Sequence, residues 1–490
     1  MPRLDELYRP SLALLTDLYQ VTMAFGYWKS GRHETEACFH LSFREHPFEG
    51  GFTVSCGLER AVDFLDAFRF DASDLDYLAE LRGADGNPLF EGGFLEELGR
   101  MELACDVDAI PEGTAVFPHE PLVRVRGPIW QCQLLETPLL NVVNFETLIA
   151  TKAARVCLAA RGEPVLEFGL RRAQGVDGGV TASRAAYVGG CAATSNLMAG
   201  KLFGIPVRGT HAHSWVMAFD DERAAFRAWA DAMPNNCVFL VDTYDTPTGV
   251  ANAIEAARRL RETGHEMIGI RLDSGDLAYL SLEARRMLDE AGFRAASIVA
   301  SNDLDERIID SLKEQGAAID VWGVGTRLAT GGSQGALGGI YKLGALRGPD
   351  GRWRHRVKLS EQALKVSNPG VQQVRRYARD GQLVADVIYD ETVGLPEDGT
   401  MIDPLDPTRR KHLPAGPDSE ELLVPVFRAG RRVYDLPSIH ATRDRVRDQL
   451  GRLHSGVKRF VYPHRYPVGL AAELYELKQR LMLEARGLTA

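Results

Sequence analysis

The chain has 490 residues, too many for one ordinary core, so two or three domains are expected. An apolar fraction of 45%, a charged fraction of 25% and a formal net charge of −10 describe an ordinary globular protein. They argue against a nucleic-acid partner, which needs a broad basic surface, but leave room for a locally basic pocket and a small anionic substrate. The seven cysteines, Cys38, Cys56, Cys105, Cys132, Cys157, Cys191 and Cys237, are scattered without a Cys-x-x-Cys spacing, against a disulfide framework or a structural zinc site. The start carries acids and no apolar signal region, and no apolar run approaches the ~18 residues that span a bilayer. A cytoplasmic location without membrane contact is the expectation.

Residues 12–27 predict a helix after Ser11, with Leu15, Leu18, Tyr19, Thr22 and Met23 at helical spacing. Extended stretches follow at 36–43, 51–56 and 121–126, and 133–160 reads as one or two helices. From there short apolar runs recur about every 20–30 residues. They are Val165-Leu166-Glu167-Phe168, Ala186-Tyr187-Val188, Pro206-Val207-Arg208, Val238-Phe239-Leu240-Val241-Asp242, Ile268-Gly269-Ile270-Arg271-Leu272, Ser297-Ile298-Val299-Ala300, Val321-Trp322-Gly323-Val324 and Gly339-Ile340-Tyr341-Lys342. Helical patterns at 249–263 and 304–315 separate several of them. Strand, helix, strand at this spacing predicts βαβ units and a parallel sheet. About eight units suggest an irregular (β/α) barrel over 151–354. An open doubly wound sheet is the alternative, although no dinucleotide fingerprint is present. The tail returns to short strands at 383–389 and 422–427 and to helices at 439–453 and 470–486. The resulting architecture is α/β: the barrel at 151–354, and a second, mixed α+β domain built from both chain ends, 1–150 completed by 355–490.

In a barrel the reacting groups sit at the C-terminal ends of the strands. Those ends carry Gly169-Leu170-Arg171-Arg172, Gly209-Thr210-His211-Ala212-His213-Ser214, Asp242-Thr243-Tyr244-Asp245, Arg271-Leu272-Asp273-Ser274-Gly275-Asp276, Ser301-Asn302-Asp303 and Gly323-Val324-Gly325-Thr326, with Lys342 near the eighth strand. Singly, each has a bland explanation: glycines turn the chain, Asp-Ser-Gly-Asp is a good turn, and Arg171 and Arg172 can be solvated charges. Jointly they fall on one face. Gly323, Gly325 and Thr326 can cradle a phosphate with backbone N–H groups, and Lys342 and Arg327 can add charge. Asp273 and Asp276 can hold ribose hydroxyls, directly or through hydrated Mg²⁺. Phe168 offers a face to a flat heterocycle and Arg171 a fork to a carboxylate or phosphate. Such a site suits a phosphorylated sugar and a planar base.

Several motifs resemble those of nicotinate phosphoribosyltransferases: Leu15-Thr16-Asp17-Leu18-Tyr19-Gln20-Val21-Thr22-Met23, Phe43-Arg44 with Pro47-Phe48, Glu167-Phe168-Gly169-Leu170-Arg171-Arg172-Ala173, the Gly209 to Ser214 and Arg271 to Asp276 segments, Gly323-Val324-Gly325-Thr326, and Lys358-Leu359-Ser360 with Pro369-Gly370. The likeness runs in order through most of the chain. It implies a type II phosphoribosyltransferase fold and a head-to-tail homodimer, with Asp17, Tyr19 and Arg44 reaching the partner's site and Tyr19 and Phe168 sandwiching the pyridine ring. It implies transfer of phosphoribosyl from phosphoribosyl pyrophosphate to nicotinate in NAD synthesis, with Mg²⁺ and with ATP hydrolysed through a phosphohistidine at His213. His211 is the nearby competitor for that role. Arg271, Ser301 and Asn302 are expected to bind substrate. Ser195 stands where nicotinamide enzymes place an aspartate, and with Arg171-Arg172 it favours nicotinate. The alternatives are a nicotinamide enzyme, a non-catalytic ligand-binding relative, and a flavin or sugar-phosphate barrel enzyme, which leaves Asp17-x-Tyr19-Gln20 unexplained.

Overall fold

The computed structural model describes residues 11–362, 365–395, 399–413 and 418–488. The chain is mixed α/β and divides into two compact units, one formed by 1–147 with 336–490 and the other by 148–335.

The first unit draws on both chain ends. Its seven-stranded sheet runs Trp353–His355, Gly339–Arg347, Glu36–Phe43, Val123–Pro128, Asp106–Ala109, Val424–Arg428 and Arg431–Arg432, and every neighbouring pair is antiparallel. The strand Glu36–Phe43 is buried nearly throughout because both of its neighbours and the packed faces exclude water from it. A six-stranded sheet of the tail centres on the hairpin Gln372–Arg379 and Gln382–Asp390. Inside this unit Arg376, 1% exposed, pairs with the fully buried Asp386, which also accepts a hydrogen bond of 3.0 Å from the Tyr466 hydroxyl.

The second unit holds a parallel sheet in the order Ala193–Thr194, Val165–Glu167, Val321–Val324, Ser297–Ala300, Gly269–Leu272, Val238–Leu240. Helices Thr246–Glu262, Leu277–Glu290 and Glu306–Glu314 follow strands, as the βαβ spacing predicts. Gly249 allows the first of these to lie on its strand: a Cβ there would stand 1.9 Å from the Val241 carbonyl oxygen. Buried Glu306 takes Lys152 at 2.5 Å and Arg155 at 2.9 Å, tying the helix Glu306–Glu314 to Glu136–Ala159.

One expectation is met only as an open parallel sheet, and two are corrected. No pairing closes the parallel sheet into a barrel among the described residues; its edges are Val238–Leu240 and Ala193–Thr194, the latter extended by a single bridge to Val207. Ala186-Tyr187-Val188 is not a strand but the last turn of the helix Gly175–Val188. That helix is buried over most of its length, so its apolar run imitates a core strand. Gly339-Ile340-Tyr341-Lys342 is not an eighth parallel strand. It pairs antiparallel with Glu36–Phe43 in the first unit, and Lys342 lies there.

Candidate active site

The parallel strands of the second unit bring most of the expected groups to their C-terminal ends. Arg271, on Gly269–Leu272, is the hub. Its Nε donates to Ser301 Oγ at 2.8 Å, one terminal nitrogen to Asp273 Oδ1 at 2.9 Å, and the other reaches Thr210 Oγ1 at 3.4 Å. Ser301 also donates to Asp273. Burial pushes the Asp273 carboxyl upward, but the Ser301 hydroxyl and the Arg271 guanidinium outweigh it and hold the group below the usual carboxylate range. Asp273 is therefore an anion fixed in orientation.

His213 opens the short helix His213–Met217, with Nδ1 3.1 Å from Thr243 Oγ1 and Nε2 3.7 Å from Asp273 Oδ2. One nitrogen is held by a hydroxyl while the other faces the anion. His211 differs. It is buried, its Nε2 accepts the Leu240 N–H at 3.2 Å, and its Nδ1 donates to the Ala212 carbonyl at 3.3 Å. Burial pushes its imidazole down to about 4. Both nitrogens are committed to backbone, so His211 serves as a neutral bridge at the edge of the sheet and has no free lone pair for chemistry.

Phe168 follows the first strand, with its N–H on the Val324 carbonyl at 2.8 Å. A Cβ at Gly323 would stand 2.8 Å from the Phe168 ring, so the glycine gives the ring its place. The Arg271 guanidinium lies 5.5 Å from that ring's centroid. Beneath it buried Glu167 accepts from Ser183 Oγ at 2.8 Å, Thr194 Oγ1 at 2.6 Å and the Gly169 N–H, holding the turn in shape. Ser195 donates its backbone N–H to the Glu167 carbonyl at 3.0 Å and is half-buried. Arg171 and Arg172 lie in the short 3₁₀ turn Leu170–Arg172 and are exposed.

The remaining predicted groups spread further. Asp276 is the N-cap of Leu277–Glu290, with Oδ1 accepting the Ala278 and Tyr279 N–H groups at 3.1 Å each. Gly325 precedes the short helix Thr326–Ala329. Arg327 is tied to Asp305 at 2.6 Å. Asn302 and Asp303 follow Ser301 with φ of +92° and +41°, left-handed values that non-glycine residues seldom adopt, and such strain collects where geometry matters for function. Sequence reading placed Asp242 at a strand end but gave it no role. Its Oδ2 accepts the Asp273 N–H at 2.8 Å and Ser274 Oγ at 2.6 Å, while its buried Oδ1 has no hydrogen-bond partner among the described residues. Its position at the end of a strand, beside Thr243, was the available signal.

In the first unit Asp17 accepts from Thr137 Oγ1 at 3.0 Å. Gln20 is buried and accepts from Gln133, whereas Tyr19 is 49% exposed rather than a core tyrosine. The same unit contains a pocket lined by His40, Ser42, Arg44, His119, Lys342, Lys365, Ser367 and Asn368. His40 and Ser42 alternate along their strand and so share a face, with Lys342 opposite His40, and Arg44 follows the strand's end at Phe43. Lys365, the third cation, lies in a loop where no periodicity marks it. Lys358 contributes its backbone N–H to Ser367 Oγ at 2.9 Å.

Comparisons with known proteins point to one family. Residues 14–144 match the model of the nicotinate phosphoribosyltransferase N-terminal domain, and 372–478 that of its C-terminal domain. A nicotinate phosphoribosyltransferase of Bacillus subtilis is 44% identical over 97% of this chain and 96% of its own length. The protein of that name from Bos taurus is 36% identical over 97% of each. The crystal structure of human nicotinic acid phosphoribosyltransferase superposes with a TM-score of 0.83 at 34% identity, covering 95% of this chain and 99% of the human one. Matched along nearly its whole length, the chain belongs to the nicotinate phosphoribosyltransferase family.

Proposed function

We propose that this protein transfers phosphoribosyl from phosphoribosyl pyrophosphate to nicotinate, releasing nicotinate mononucleotide and pyrophosphate in NAD synthesis, with ATP hydrolysis coupled to the transfer. The observation that carries the reading is the fixed cluster of His213, Asp273, Arg271 and Ser301 at the strand ends beside Phe168, in a chain of this family. Phe168 offers a face to the pyridine ring, and the exposed, basic Arg171 and Arg172 favour a carboxylate. Half-buried Ser195 supplies a neutral hydroxyl where an acid would repel that carboxylate. Displacement at ribose C1 develops positive charge on the sugar, and the anionic Asp273 is placed to stabilise it. The turns at Ser301-Asn302 and Gly323-Val324-Gly325-Thr326 present backbone and hydroxyl donors for the sugar phosphate. In the first unit Arg44 and Lys342, with Lys365, form a polyphosphate pocket.

His213 is read as the phosphorylated residue. Thr243 holds Nδ1, so Nε2 is the nitrogen presented to the γ-phosphate of ATP; the N–P bond forms as the bond to the ADP oxygen breaks, and water later returns the imidazole. Asp242, Asp273 and Asp276 do not converge into a direct three-ligand set among the described residues, so they would hold Mg²⁺ through its water shell, for which Asp242 Oδ1, without a hydrogen-bond partner there, is a free acceptor. Bound there, Mg²⁺ supplies charge neutralisation for the leaving pyrophosphate. We read the open parallel sheet as an irregular barrel, with His211 spanning part of the gap. We read the half-exposed Leu15, Leu18 and Tyr19 as a homodimer surface, and the location as cytoplasmic.

One assay tests the assignment. The protein is incubated with phosphoribosyl pyrophosphate and Mg²⁺, with and without ATP, against nicotinate, nicotinamide and quinolinate in parallel. Mononucleotide should form from nicotinate and be stimulated by ATP; turnover of nicotinamide alone would mark the protein as a nicotinamide enzyme.

A further inference from the structure

The pocket of the first unit carries a carboxamide as well as cations. Asn368 Oδ1 accepts from Lys478 Nζ at 2.8 Å, and the Asn368 backbone oxygen accepts from Gln372 Nε2 at 2.8 Å. An ammonium only donates, so the bonded atom must be the amide oxygen, and the Nδ2 donors of Asn368 point elsewhere. Lys478 stands on the helix Ala472–Ala485 and is 6% exposed. Among the described residues no carboxylate lies within ion-pair distance of it. A buried ammonium with one neutral partner is costly for the fold, and a methionine could fill the same space more cheaply. Burial holds this amine down to about 8.

The surroundings share the excess of positive charge. His119, beside Lys478, Arg44 and Arg465, has its ring pushed down to about 4, by burial first and by those cations next, with Asp403 opposing. Its backbone sits at φ +73°, an unfavourable value for histidine, and keeps the ring in the pocket wall. Arg44, Lys342 and Lys365 line the pocket, Arg465 and Lys478 act on its wall at His119, and the carboxylates acting on that wall are Asp403 at His119 and Asp390 at His40, so cations are in excess and an anion completes the balance.

We propose that Lys478 is a positioning residue for anion binding: it orients Asn368 so that Nδ2 donates into the pocket, and its own charge is completed when a polyphosphate group arrives. The proposal rests on reading this pocket as the site of substrate phosphates. A polyanion favours the ammonium form, so occupancy draws a proton onto Lys478 wherever the empty site leaves it partly neutral. Anion affinity then falls as pH rises from 7 to 9.

The test uses the full chain and inorganic pyrophosphate, titrated calorimetrically at pH 7, 8 and 9 in buffers of different ionisation enthalpy. The wild type should bind with proton uptake beyond that of Lys478→Met and weaken roughly tenfold more across this range, about one unit of pKa. Asn368→Asp separates binding from structure. It gives Lys478 a carboxylate, so thermal stability should hold or rise, while pyrophosphate affinity falls at least about tenfold as a donor becomes a negative charge. Unchanged affinity in Asn368→Asp, or equal proton uptake in wild type and Lys478→Met, overturns the proposal and leaves the pocket's assignment standing. Failure of the wild type to bind pyrophosphate while still forming nicotinate mononucleotide overturns the assignment of the pocket, and the role of Lys478 with it.

Discussion

His213 and His211 stand two residues apart and have opposite chemical characters. One imidazole is anchored at Nδ1 by Thr243 and turned toward Asp273, and the other spends both nitrogens on the backbone. His213→Asn should therefore leave the fold and basal transfer in place and abolish stimulation by ATP. Rates with and without ATP check this, with unfolding expected to shift by no more than about 0.5 kcal/mol for a part-exposed side chain. Gly323 makes a sharper prediction. A methyl there would meet the Phe168 ring at 2.8 Å, so Gly323→Ala should displace the ring. The KM for nicotinate should rise roughly tenfold, about 1–2 kcal/mol, with kcat much less affected. A change in kcat alone would show that the ring does not hold the pyridine. Sequence pattern made Phe168 and Gly323 visible but not their contact, which brings together strands far apart in the chain. Glu167 escaped notice for the same reason: nothing local says that Ser183 and Thr194 come to it. Lys365 and Lys478 were hidden because surface loops and terminal helices are rich in lysine; the pocket distinguishes the first, and burial against Asn368 the second.

At the scale of elements, sequence reading was strongest where a single period dominated. The runs at Val238–Leu240, Gly269–Leu272, Ser297–Ala300 and Val321–Val324 form the parallel sheet as the alternation of strand and helix predicts. It failed where burial erased the period, in the helix Gly175–Val188, and where partner choice was non-local, in Gly339–Arg347. An apolar strand does not announce which sheet it joins. Helix placement in the second unit depends on a buried charge cluster. Glu306 neutralises Lys152 and Arg155, and those two cations lift its carboxyl's ionisation against the upward push of burial, leaving it below the ordinary glutamate range. Glu306→Ala would remove the carboxylate shared by two buried cations and should destabilise the protein by about 3–5 kcal/mol, read from chemical unfolding. Glu306→Leu, similar in volume but equally uncharged, should fare no better, since the partners remain.

Across the whole molecule, the tail's core sets a pH dependence. Burial pushes the Glu120 carboxyl well above its usual range, with the neighbouring Asp386 adding to the shift, while Glu120 Oε2 accepts the Phe117 N–H at 2.9 Å. A raised folded-state value means that folding favours the protonated acid. The stabilisation is complete below the unfolded-state value and is lost as pH rises through the folded one. Glu120→Gln keeps the shape of the neutral acid without its proton, so the variant should lose less stability than the wild type on the alkaline side. Thermal unfolding between pH 5 and 9 checks this, and parallel curves would remove Glu120 from the account. The antiparallel sheet of the first unit has a further consequence, for the order of events during synthesis. Its strand Glu36–Phe43 leaves the ribosome long before Gly339–Arg347, and Asp106–Ala109 long before Val424–Arg428. At about 5–20 residues per second, these early strands wait tens of seconds with bare edges while the intervening residues are made. Within 148–335 the longest wait is about half as long, that of Val165–Glu167 for Val321–Val324. Slow translation or premature termination should thus leave nascent chains with unpaired strand edges, the form in which this protein most needs a chaperone.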